Sequence, residues 1–297
     1  MKQQRNSNHP AVDSNSFDRL VSDDLGYQNL ANFLKSRSGI HMPPTAKNQT
    51  LMASRLSKVL ARFQIDSYRQ LHRALERGDA HLEAAFIQAL TTNKTEFFRE
   101  QAHFQLFPRL LEQRLEAKRQ SKSPKEIRIW CAAASRGHEP YTILFTLLRS
   151  GFDLQLWRLK FLASDIDLVV LKQAATGVYS EREMAGIPSD IQVDYFKEIA
   201  ASGGERQFAV RRELRDMITF APFNLVEIPY AFQFPFDFIF CRNVLIYFDE
   251  QTVRKVKDAL TEALAPEGVL FIGHSETGGY RPPALETIAM ATLRKKG

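Results

Sequence analysis

At Ile127 the apolar pattern of this 297-residue chain changes period. Upstream, apolar residues fall on helical stripes. These are Tyr27, Leu30, Phe33 and Leu34; then Leu51, Leu56, Val59, Leu60 and Phe63; then Tyr68, Leu71 and Leu75; then Leu82, Phe86, Ile87 and Leu90; then Phe104, Phe107, Leu110, Leu111 and Leu115. Downstream, short apolar runs alternate with helical stripes, the signature of a parallel α/β sheet. Residues 127–133, 159–163, 218–221, 236–241 and 269–273 read as strands, and 139–149, 167–175 and 250–264 as helices. Residues 287–293 are expected to add edge strands. Residues 177–214 are polar and break the rhythm; Gly203-Gly204 precedes alternating Phe208 and Val210, which suggests an insertion with a small hairpin. The expected organisation is a disordered tail at 1–22, a helical domain at 23–100, a connecting helix and linker at 101–126, and an α/β domain at 127–297. The linker itself is the polar, basic AKRQSKSPKE at 117–126.

Composition narrows the class. Hydrophobic residues make up 44% and charged residues 25%, as in soluble globular proteins. No apolar run is long enough to span a bilayer, so no membrane insertion is expected. MKQQRNSNHP has no apolar stretch and does not read as a secretory signal. The two cysteines, Cys131 and Cys241, sit in apolar runs and read as buried thiols in a reducing cytoplasm; neither a disulfide nor a metal site is expected. The net charge of +6 suits an acidic partner, either nucleic acid or an acidic protein surface.

The chemistry concentrates where strands end. RIWCAAASRGHEPYT, 128–142, reads as a buried strand, a tight turn of small residues and a helix with Pro140 in its first turn. In open α/β sheets a cofactor lies at such a turn. Glu139 repels phosphate and favours a cationic or hydroxyl-bearing ligand, and the turn matches neither a P-loop nor G-x-G-x-x-G. Asp165, in ASDID at the next strand end, is placed to accept from ribose hydroxyls, whereas Asp167 reads as a helix cap. After FDFIFC come Arg242 and Asn243 at the same mouth, then Tyr247, which reads equally as a site residue or a core aromatic. TTNKTEFFRE, 91–100, crowds polar residues around two phenylalanines; Thr92 or Thr95 as a cap and Arg99 as a surface residue are ordinary alternatives there. Arg55, Lys58 and Arg62 form a basic face on one helix, either solvated or docking an acidic helix. His138-Glu139 is not a zinc H-E-x-x-H motif, and GHSE at 273–276 is not G-x-S-x-G.

Four stretches, LTTNKTEFFRE, AAASRGHEPYT, ASDID and FCRNVLIYF, followed by GHSE, together resemble the CheR family of chemotaxis receptor methyltransferases. The resemblance runs from about Tyr27 to the C-terminus. It implies an all-helical N-terminal domain for receptor recognition and an α/β, Rossmann-like sheet that binds S-adenosylmethionine, with a small inserted antiparallel β-subdomain. The implied activity is methyl transfer to glutamate side chains of chemoreceptors, giving methyl esters and S-adenosylhomocysteine. By resemblance, Asn93, Thr95, Arg99, Glu139, Asp165, Asn224, Leu225, Arg242 and Asn243 bind the cofactor, with Asn224 and Leu225 beside the adenine. Arg99 and Tyr247 are the implied catalytic residues, nearest the methyl and the incoming carboxylate. Arg55, Lys58 and Arg62 match the face proposed to meet the receptor's helical bundle, and some members grip a receptor C-terminal peptide with the β-subdomain. His138 stands where the family commonly has an acid. The expected protein is a cytoplasmic monomer without metal or nucleic acid. A nucleic-acid methyltransferase is opposed by the absence of Asn-Pro-Pro-Tyr or a cysteine nucleophile at the fourth strand. A non-catalytic cofactor-sensing adaptor is opposed by the retention of Asn93, Arg99, Glu139, Asp165 and Tyr247.

Overall fold

A computed structural model of the chain describes residues 14–121, 123–199 and 205–297. The chain divides into two compact units, with the cut between Thr91 and Thr92 and with Ser38–Ile40 grouped with the second.

The N-terminal unit contains α1 (Ser14–Val21), α2 (Asp24–Ser38), α3 (Ala46–Phe63), α4 (Tyr68–Glu76) and α5 (Ala80–Leu90). The apolar stripes meet inside it: Tyr27, Leu30, Leu34, Met52, Leu56, Leu60, Tyr68, Leu71, Leu82 and Phe86 are all buried. Polar caps set the helix starts, with Thr45, Ser67 and Asp79 accepting backbone N–H bonds ahead of α3, α4 and α5. Helix α1 corrects the expectation of a disordered tail over its span. Leu20 is buried, and burial of that apolar side chain gives a short polar segment a reason to be helical. Residues 1–13 of the expected tail lie outside the described residues.

The second unit opens with the 92–101 segment and α6 (Ala102–Gln120). Its strands and helices follow as β1 (Glu126–Cys131), α7 (His138–Arg149), β2 (Arg158–Asp165), α8 (Leu168–Thr176), β3 (Val178–Ser180), α9 (Glu181–Met184), α10 (Ser189–Tyr195), β4 (Phe196–Ile199), β5 (Gln207–Val210), α11 (Arg212–Arg215), β6 (Ile218–Pro222), β7 (Phe236–Cys241), α12 (Glu250–Ala263), β8 (Leu264–Ile272), β9 (Leu285–Ala289) and β10 (Thr292–Lys295). The main sheet has the order β6-β2-β1-β7-β8-β10-β9. Its first five strands run parallel, and β10 returns antiparallel to β8. The small sheet, β3-β5-β4, is antiparallel and comes from the inserted segment. Gly203-Gly204, the expected hairpin turn between β4 and β5, lies outside the described residues.

The expected linker is shorter than 117–126, because α6 continues to Gln120. Its basic last turns are anchored: Arg114 and Lys118 both pair with the buried Asp237 of β7, at 2.7 and 2.9 Å. Helix α12 ends at Ala263, one residue short of the expected end, as suits a helix followed closely by Pro266. Side chains of the central strands alternate between two apolar clusters. Phe238, Phe240 and Phe271 lie with Phe104 and Phe107 of α6 and Leu144 of α7; Ile239, Cys241 and Leu270 lie with Val256 and Leu260 of α12.

Candidate functional site

The connections reverse direction beside β1. From β1 the chain moves to β2 and later β6 on one side; β7 and β8 lie on the other. The carboxyl ends of β1 and β7 therefore mark a switch point, where α/β sheets open a crevice for ligands. Cys131 pairs with Ala163 of β2 and Phe240 of β7, so the loops leaving these three strands start side by side. In the β1 loop the backbone at Gly137 has φ +91°, and a Cβ there would lie 2.8 Å from Tyr179 Oη and 3.0 Å from Ala174 Cα. Only glycine fits this turn, and Glu139 follows in the first turn of α7.

Asp165 ends β2 and is 9% exposed. Its Oδ2 accepts the Ser135 N–H at 2.8 Å and its Oδ1 the Asp167 N–H at 3.0 Å. Burial pushes its carboxyl up, and these two backbone bonds work against that. Each oxygen keeps a further lone pair for a ligand hydroxyl. Asp167 caps α8 through Oδ1, as read from the sequence, and its Oδ2 accepts from Asn93 Nδ2 at 2.9 Å. Ser135 Oγ also donates to the Asn93 carbonyl, so the 92–100 segment is tied to both loops.

Arg242, directly after β7, has a fully buried side chain. Nη1 donates to Glu139 Oε2 at 2.6 Å, and Nη2 donates to the Arg99 carbonyl at 2.6 Å and to Glu100 Oε2 at 3.1 Å. The guanidinium lies over the Phe104 ring at 5.2 Å, and among the described residues its Nε meets no hydrogen-bond partner. Burial works against this cation, but Glu139 and Glu100 more than offset it. Burial pushes the Glu139 carboxyl up, and the Arg242 guanidinium opposes that shift.

Asn243, at φ +57°, donates from Nδ2 to Glu100 Oε1 at 2.9 Å. Its loop is pinned by the buried Glu276, whose carboxylate accepts the backbone N–H groups of Gly273, Asn243, Leu245 and Ile246. GHSE is thus a structural acid rather than a hydrolase motif. Tyr247 closes the 3-10 turn Leu245–Tyr247 and is half-buried. The Arg99 guanidinium donates to the Lys94 carbonyl at 3.2 Å. Thr95 is half-buried in the same segment. After β6, Asn224 bonds Glu227 and the Val226 N–H, and Leu225 is buried in the cluster that includes Trp130 and Leu245. His138 places a neutral ring, not a charge, beside this site: burial lowers its pKa to about 4, and it lies against Phe97 and Tyr179.

Arg55, Lys58 and Arg62 belong to the N-terminal unit. Arg55 is engaged there, donating to the Leu90 and Thr91 carbonyls at the end of α5, while Lys58 and Arg62 are exposed. Sequence reasoning missed Ser135, Glu100 and Glu276. Glu100 had a signal, an acid directly after Arg99 in a segment otherwise rich in site residues. Ser135 had none, because its backbone N–H rather than its side chain meets Asp165.

Asp165 at the end of β2, Glu139 in the first turn of α7 and a β1 turn unsuited to phosphate fit an α/β enzyme for a cationic, hydroxyl-bearing nucleoside cofactor. The donor set fits S-adenosylmethionine, which carries an ammonium, ribose hydroxyls and a sulfonium. Comparison with known families agrees. Residues 93–291 match the family model described as CheR methyltransferase, SAM binding domain, and residues 25–91 match CheR methyltransferase, all-alpha domain. The chain belongs to the CheR methyltransferase family and is an S-adenosylmethionine-dependent methyltransferase. It is 36% identical to the chemotaxis protein methyltransferase of Escherichia coli over 87% of this chain and 86% of the relative. It is 38% identical to chemotaxis protein methyltransferase 2 of Pseudomonas aeruginosa over 76% and 78%. With that of Borreliella burgdorferi it shares 32% identity over 93% and 95%. The two family models meet at the cut between the compact units. No helix among the described residues is long and apolar enough to cross a membrane.

Proposed function

We propose that the chain methylates glutamate side chains of chemoreceptors, acting in the cytoplasm as a monomer on the receptor's helical bundle. The observation that carries this reading is the match to the CheR family models and to relatives named chemotaxis protein methyltransferases over most of the chain, and the buried groups at the site accord with it. Among the described residues near the crevice, His103 and His138 are held neutral to about pH 4 by burial. Cys131 and Cys241 are buried, with thiols pushed up by that burial, and the Glu276 oxygens are committed to backbone N–H groups. Such a site suits an acceptor that arrives already deprotonated. A glutamate, with an ordinary pKa of ~4.3, is ionised at neutral pH.

In this reading Glu139 holds the cofactor's ammonium, Asp165 its ribose, and Asn224 and Leu225 flank its adenine. Asn93, Thr95, Arg99, Arg242 and Asn243 complete the binding site. The bound cofactor supplies a methyl group already activated by its sulfonium. The protein's task is to aim the carboxylate and exclude water, worth up to roughly 7–11 kcal/mol in well-oriented reactions. Arg99 has the planar fork to orient a carboxylate, with Tyr247 beside the path. Arginine binds the charged reactant better than the neutral ester, so its contribution is alignment. Opposite charges vanish along this path, which favours a dry site. Lys58 and Arg62, with Arg55 behind them, suit an acidic receptor helix. The edge strands β3 and β4 offer backbone groups to a receptor C-terminal peptide. The test is labelled methyl transfer to receptor-containing membranes. Base-labile release of methanol marks an ester; label in RNA, or cofactor binding without transfer, contradicts the reading.

A further inference from the structure

Arg99 sits between two residues with left-handed backbone: Phe98 and Glu100 both have φ +56°. Neither is glycine, so this conformation persists only because the surroundings enforce it. The Phe98 N–H is held by Thr142 Oγ1 at 3.2 Å, and the Arg99 carbonyl by Arg242. The larger constraint is the Glu100 side chain. Its Oε1 accepts from Asn243 Nδ2, and its Oε2 accepts from Arg242 Nη2 and from the His274 N–H at 3.2 Å. One carboxylate thus gathers the loop after β7, the loop after β8 and its own segment. His103 and His274 also present nitrogens near it, all donor atoms lying within 4.8 Å of one another. The Arg242 guanidinium pairs with this carboxylate at 3.1 Å, so the group is read as a hydrogen-bonded hub.

We propose that Glu100 is a positioning residue for methyl transfer: by gathering Arg242, Asn243 and the His274 amide, it fixes the backbone that presents Arg99. The proposal rests on Arg99 orienting the substrate carboxylate. All three partners of Glu100 are donors, so Glu100→Gln, equal in size, must turn an amide NH2 against either Asn243 or the Arg242–His274 pair. The hub loosens while the volume stays.

The test is a double-mutant cycle on the full chain, with Glu100→Gln, Arg99→Ala and the double variant, reading kcat for receptor methylation and cofactor affinity by calorimetry. Glu100→Gln is expected to lower kcat by roughly ten- to a hundredfold, because small misplacements of reacting groups cost that much. The loss should persist at saturating cofactor, which separates orientation from the cofactor binding that Arg242 and Asn243 also serve. In the Arg99→Ala background the same change should alter kcat by less than about twofold, since coupled residues are not additive. If the glutamine variant does not fold, Glu100→Asp, which keeps the charge but withdraws the carboxylate by one methylene, is run through the same cycle with the same expectation. Wild-type kcat in the single variant, or an equal loss in both backgrounds, overturns the proposal while leaving the receptor reading intact. A wild-type enzyme that transfers no methyl to receptor overturns both.

Discussion

Asp165→Asn separates holding a loop from holding a cofactor. The change keeps the side chain's size, removes its charge and turns one oxygen into a donor. In the native site both oxygens are already accepting, from the Asp167 N–H at 3.0 Å and the Ser135 N–H at 2.8 Å. Whichever way the new amide turns, its NH2 faces one of these two N–H groups, at a position only 9% exposed. One unsatisfied buried donor costs about 1–3 kcal/mol of stability. Loss of the charged acceptor for the ribose should cost a further ~1.5–3 kcal/mol of binding, a rise in Kd of about ten- to a hundredfold. Urea denaturation reads the first quantity, and calorimetry with S-adenosylmethionine, run well below the variant's Tm, reads the second. Reduced stability with wild-type affinity would leave Asp165 as a clasp between the β1 and β2 loops and refute its cofactor role. No change in either would refute the buried hydrogen bonds as well.

Acid should weaken the fold in a defined window. His103 and His138 titrate near 4 when folded because burial penalises their charged forms, against 6.5 ordinarily. Between about pH 6.5 and about pH 4 the unfolded chain therefore binds more protons, and stability is lost as pH falls, by on the order of 3 kcal/mol per ring. Urea midpoints across this window should show it, and His138→Phe should remove about half of it; a flat profile would contradict the burial argument. Asp237→Ala leaves Arg114, Lys118 and the Arg128 N–H without their shared acceptor. It should cost roughly 2–4 kcal/mol, below the value for fully buried pairs because both cations keep some exposure, with cofactor affinity unchanged. Reversing Lys58 and Arg62 to Glu should raise KM for receptor and not for cofactor, with the difference shrinking as salt is added. Equal kinetics at low salt would make that face merely solvated.

The change of period at Ile127 was enough to read the α/β sheet, because buried parallel strands leave short apolar runs separated by amphipathic helices. The places of Asp165 and Asn243 in the fold were legible for a related reason: polar residues that end or closely follow such runs have only the sheet's carboxyl edge to occupy. The short helix α1 was not legible. A polar segment folds there through burial of Leu20, which periodicity over a few residues does not report. The role of Glu100 was hidden too, since its partners Asn243 and His274 are far away in sequence and only the sheet order brings them to it. The basic face at Arg55, Lys58 and Arg62 shows the limit of spacing arguments. Arg55 shares that face in sequence, yet its guanidinium caps the end of α5.

The central claim is the acceptor atom, and mass spectrometry of receptor peptides after incubation with the enzyme and S-adenosylmethionine tests it most directly. The account predicts the mass gain of one methylene on glutamate side chains of the receptor's helical region. That gain should disappear with mild base and stay absent when those glutamates are replaced by alanine. A gain on lysine, arginine or nucleic acid, or an unmodified receptor beside tight cofactor binding, would contradict it.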